Sequence, residues 1–127
     1  MERYDPEKQI DPEVWNTLDE DKREHLVEQY HRKKRIKMPS LRMHVMLHVV
    51  VENQIALGDD FPAEKTLGRL MREGLSRHDA VHAIASVAAS HLFGLMKHGP
   101  TSKDPNADYC RKLEEVTAAD WLNRSIR

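Results

Sequence analysis

The stretch LRMHVMLHVVVENQIAL, residues 41–57, constrains this chain more than any other part of it. Read as a helix it is apolar nearly all the way round, and Gly58 closes it. A helix without a polar face has to be surrounded, in the middle of a bundle or against a second copy of the chain. Elsewhere, alternating β-branched runs and hairpin dipeptides are missing, and Val49 to Val51 fall inside the helical pattern. The chain is therefore predicted to be all-α, a compact bundle of five or six helices around a buried central pair.

Cap and stop signals place the other helices. Asp11 and Pro12 begin a short one carrying Val14, Trp15 and Leu18. Thr17 and Glu20 have capping-box spacing for the next, whose stripe is Leu26, Val27 and Tyr30 and which is predicted to fray in HRKKRIK (31–37) before Pro39. Pro62 opens a helix with Ala63, Leu67, Leu70 and Met71 on one side, stopped by Gly74 with Leu75 behind it. Ser76 and Asp79 cap a long helix from Arg77 to about His98, closed by Gly99 and Pro100. Tyr109, Leu113 and Val116 share a face, and Thr117 caps a last turn or two with Trp121 and Leu122. Residues 1–10 are set apart as a flexible N-terminus, and 11–127 read as a single domain.

Charge excludes some partners. Lys and Arg total 20 against 21 Asp and Glu, so no field of one sign argues for nucleic acid or for a membrane surface. The basic run at 31–37 lacks interleaved aromatics and reads as a solvated helix end. A single cysteine, Cys110, cannot form an internal disulfide and fits a reducing compartment. MERYDPEKQI has no apolar signal-peptide core, and no run approaches the ~20 apolar residues of a membrane span, so the cytoplasm is expected.

The apolar helix carries a polar ladder. Four residues along a helix turn the chain by about 40° and advance it ~6 Å, so His44, His48 and Glu52 share one side, and His78 and His82 repeat the arrangement on the long helix. If the two helices pack antiparallel, the four rings converge. Neutral imidazoles at i and i+4 can place two nitrogens on one ion, which points to a divalent transition metal (Zn, Fe, Ni or Mn) or another small ligand. In that reading His44, His48, His78 and His82 are the ligands, Glu52 and Gln54 support them from behind, and Arg69 or Arg77 anchors the carboxylate.

Two other readings stand beside it. Buried histidines also form purely structural networks, with function elsewhere as an interaction protein. The adjacent His78 and Asp79 also occur in helical metal-dependent phosphohydrolases, which need a distant acid such as Asp104, Asp108 or Asp120; yet Asp79 is already explained as a helix cap. HExxH is absent, and Ser86, Ser90 and Cys110 have no His and acid spaced to activate them. The apolar surplus around His44 leaves a homodimer possible.

The segments WNTLDEDKREHLVEQYH (15–31), HVVVENQIALG (48–58) and RLMREGLSRHDAVHAI (69–84) resemble a family of small bacterial proteins, domain of unknown function number 1841. The likeness spans roughly residues 11–98. It implies Trp15, Tyr30, Asn53, Gln54, Gly74 and Arg77 as recurring positions together with the histidines, and it adds His31 to the candidate site. It implies no activity.

Overall fold

A computed structural model describes residues 1–33 and 41–125. Along them run α1 (Pro12–Thr17), α2 (Glu20–Lys33), α3 (Leu41–Ala56), a single 3-10 turn (Gly58–Asp60), α4 (Ala63–Arg72), α5 (Arg77–His98), α6 (Pro105–Glu115) and α7 (Ala118–Ser125), and no strand among the described residues. The fold is all-α and packed, with seven helices rather than five or six. The surplus comes from α1 and α7, which are too short to stand alone and depend on caps and tertiary packing. The predicted fraying of α2 before Pro39 lies outside the described residues.

Local chemistry sets the ends. Asp11 accepts from the Glu13 N–H at the start of α1 (2.9 Å), and Ser76 Oγ accepts from the Asp79 N–H at the start of α5 (3.1 Å). Thr117 and Asp120 bond reciprocally at the start of α7, a complete capping box. Thr17 is a correction: its hydroxyl donates back to Val14 O, and the side chain of Asp19 caps α2 by accepting from the Lys22 N–H. After α4, Gly74 sits at φ 113° while the Leu75 N–H reaches Leu70 O and the Gly74 N–H reaches Met71 O, the double bond that seals a helix end through a left-handed residue. That turn reverses the chain into α5.

The central pair is α3 and α5. Glu52 meets Arg77, His48 lies against His78 and His82, and His44 lies against His82, so the numbering runs in opposite directions and the helices are antiparallel. Two apolar cores flank this pair. One gathers Tyr4, Trp15, Leu26, Val27, Val45 and Val49 between α1, α2 and α3. The other joins Val51 to Leu70, Val81, Ile84 and Leu113 of α4, α5 and α6. On α3, His48 and Glu52 fall between the two apolar sides.

Four expectations change here. Met43, Met46 and Val50 form an exposed apolar stripe on α3, on a side that its neighbouring helices leave uncovered among the described residues. Met71 is exposed, and Thr66 takes the inward place on α4, donating to Leu113 O at 3.2 Å. Residues 1–10, set apart as a flexible N-terminus, have tertiary partners: Tyr4 is buried, Pro6 O accepts from Arg77, and Glu7 accepts from the His78 N–H at 2.7 Å. Finally, α5 is long and apolar enough by length and composition to cross a membrane, contrary to the expectation that no run approaches that length. Its alanines and serines, interrupted by His82, hide that length from a search for unbroken apolar residues. Its first turns pack in the core through Ala80, Val81, Ala83 and Ile84.

Candidate metal centre

Five imidazoles meet in the polar seam between the two cores. His31 comes from the last turn of α2, His44 and His48 from successive turns of α3, and His78 and His82 from the first turns of α5. His44 and His48 lie 4.7 Å apart between ring centroids, and His78 and His82 lie 4.2 Å apart. Across the helices His31 stands 4.7 Å from His44 and 4.9 Å from His48, and His82 stands 4.9 Å from His48. No packed side chain keeps these rings apart.

The nitrogens converge as the rings do. One nitrogen each from His31, His48 and His78 lie within 4.8 Å of one another, and so do nitrogens of His44, His48 and His82. Metal-nitrogen bonds of about 2.0–2.1 Å put ligand atoms of one ion roughly 3–4 Å apart, so a small inward shift of these rings suffices to hold an ion. Nε2 of His31, His44 and His78 is buried without a hydrogen-bond partner, and Nε2 of His48 and His82 face each other at 2.9 Å. A buried polar atom without a partner costs roughly 1–3 kcal/mol, so three together need an explanation.

Charge state favours coordination. Burial first, and the neighbouring rings second, hold His44 down at about 4 and His82 at about 3, push His48 lower still, and lower His78 against the opposing pull of Glu7 and Asp79. The four rings are thus neutral at pH 7, the form that binds a metal. His31 donates Nδ1–H to Val27 O at 2.8 Å, the one role a carbonyl acceptor permits, and its Nε2 is left in the seam.

Glu52 is not among the ring donors. Both its oxygens are taken by Arg77, at 2.8 and 2.9 Å, and Oε2 also accepts the Tyr4 hydroxyl at 2.7 Å. Arg77 is the carboxylate anchor, whereas Arg69 reaches Glu73 and the carbonyls of Leu113 and Glu114. Gln54 is a correction: it accepts from the Tyr109 hydroxyl at 2.8 Å, because two residues beyond Glu52 is about 200° round the helix. Asp79 is exposed at its cap and belongs to no group of ligands close enough to share an ion among the described residues, so the phosphohydrolase reading lacks its acid at the rings. Asn53, implied by the resemblance, accepts from Trp15 Nε1 and Arg23 and ties α1 and α2 to α3.

No family model, no curated protein and no solved structure matches this chain. Its chemistry is therefore read from the seam itself. Sequence reasoning missed Tyr4, which sits in a polar segment with nothing periodic to mark it as buried. His91, by contrast, accepts from Lys112 outside the cluster. A cleft of about 820 Å³ is lined by Arg77 with Glu7, Lys65, Arg69 and Arg72, and none of the five rings borders it.

Proposed function

We propose that this protein binds a transition-metal ion through the rings of His31, His44, His48, His78 and His82. The observation that carries the reading is the convergence of five imidazoles, three of them with a buried Nε2 that has no hydrogen-bond partner among the described residues. A structural network would satisfy its own members; this one leaves three buried Nε2 atoms without a partner among the described residues. The donors are all imidazole, which suits Zn, Fe, Ni or Cu, while Mn prefers carboxylate ligands, and the Glu52 carboxylate of the seam is taken by Arg77. Binding is favoured over turnover, since His31 and His48 are buried, His44, His78 and His82 half-buried, and the nearest buried carboxylate, Glu52, is held by Arg77.

Metal analysis of the purified protein tests this. A stoichiometric transition metal, with thermal stability lost to a chelator and restored by adding the ion, is the expected result. Absence of any such ion, with a melting temperature indifferent to chelator and to added Zn, Ni, Cu or Fe, leaves the structural network as the better reading. Kinship with the bacterial family and a cytoplasmic setting belong to the same proposal, on the strength of the three quoted segments and the single cysteine. A homodimer across Met43, Met46 and Val50 is supported by their exposure, and sedimentation as a monomer would remove it.

A further inference from the structure

We infer that Tyr4 is a positioning residue that fixes His48 in a single tautomer, and that the cluster consequently holds one ion, not two. The second half rests on the metal-binding reading; the first does not.

The hydrogen count decides the tautomer. Glu52 is clamped by Arg77 through both oxygens, so its carboxylate is ionised and only accepts. The Tyr4 hydroxyl has one proton and gives it to Glu52 Oε2 at 2.7 Å. Its second contact, at 3.1 Å to His48 Nδ1, must then run from the ring N–H to the phenol oxygen. With the proton on Nδ1, neutral His48 has a bare Nε2. That nitrogen faces His82 Nε2 at 2.9 Å, so His82 is the donor of this bond. Arg77, Glu52, Tyr4 and His48 form a chain whose every proton has a fixed place.

Stoichiometry follows from the same count. Two groups of three rings are close enough to hold an ion, and His48 belongs to both. Its one free lone pair serves a single ion, so the two groups exclude each other. An ion on His48 Nε2 replaces the hydrogen bond from His82. The His82 ring then carries its proton on Nδ1 and presents its own Nε2 lone pair to the ion. The three rings of one group can thus share one ion without any of them gaining or losing net charge.

Long-range proton–nitrogen NMR of metal-free protein labelled with ¹⁵N-histidine tests the first half. The expected result is a protonated Nδ1 and an unprotonated Nε2 for His48, and a shift of that pattern towards the other tautomer in Tyr4→Phe. A His48 ring protonated at Nε2 in the wild type, or a spectrum unmoved by Tyr4→Phe, overturns it. If Tyr4→Phe does not fold, the wild-type spectrum alone decides. Native mass spectrometry with Co²⁺ as the probe tests the second half. One ion per chain is expected, with affinity weakened about 10- to 100-fold in Tyr4→Phe, the usual effect of removing a group that orients a ligand. Two ions lost together in His48→Ala overturn the one-ion inference and leave the metal reading standing. No bound Co²⁺, alongside no other transition metal, removes the metal reading and the one-ion half, while the NMR result still decides the role of Tyr4.

Discussion

The core between α4, α5 and α6 and the seam between α3 and α5 share α5 but are built by opposite means. In the first, Leu70, Val81, Ile84 and Leu113 exclude water and need no partner of particular chemistry. In the second, Tyr4, His31, His48, Glu52 and Arg77 are as deeply buried, yet each polar atom must find its match. The apolar core tolerates shape-conserving exchange. The seam does not, because its burial has been achieved by assigning donors and acceptors, and the three partnerless nitrogens mark where that assignment stops. That incomplete pairing is what supports the metal reading proposed above.

Substitutions can break this contrast. The largest effect is expected from Arg77→Leu, which strands the Glu52 carboxylate in a buried site: a loss of about 3–5 kcal/mol in denaturant unfolding, as when one partner of a buried ion pair is removed. Ile84→Ala in the apolar core is expected to cost about 2–5 kcal/mol, but to leave metal affinity unchanged. If both variants weaken metal binding equally, the two regions are not separable and the contrast fails.

Metal sharpens it. Free ion at a hundred times its dissociation constant is expected to stabilise the wild type by about 2.7 kcal/mol, read as a higher melting temperature. His48→Gln should abolish that gain, whereas Ile84→Ala should retain it.

Of these two regions, acid acts on the seam. His44 at about 4 and His82 at about 3 lie below the ~6.5 of histidine in an unfolded chain. Between those limits the unfolded state binds more protons, so this contribution is complete above about pH 6.5 and is lost as pH falls towards 3–4. The slope of unfolding free energy against pH should shrink in His44→Gln and His82→Gln, and a slope unchanged in both would place the acid sensitivity elsewhere. The smallest effect belongs to neither region: Ser76→Ala removes the cap of α5 and is expected to cost about 1 kcal/mol, with no change in metal affinity.

Much of this architecture was legible in the residues. The i, i+4 ladder at His44, His48 and Glu52 was readable because helical periodicity is a local property, and the ends of α4 and α5 were readable because Gly74, Ser76 and Gly99 act within a turn of themselves. Gln54 was misplaced because nearness in sequence was taken for nearness on the helix. Met71 was placed inward by pattern and lies outward because Thr66 finds the Leu113 carbonyl. Tyr4 carried no signal at all: its burial depends on partners 44 and 48 residues away.

By itself, then, the sequence determined the helices, their order and the faces on which the histidines stand, since these follow from propensity, caps and a period of 3.6 residues. Only the tertiary structure decided that α2 brings His31 against His44 and His48, that Arg77 pairs with Glu52, and that Tyr4 reaches both Glu52 and His48 Nδ1. Those outcomes depend on which helix faces meet and on how few protons a tyrosine and an imidazole have to share, and neither is written in any local stretch of the chain.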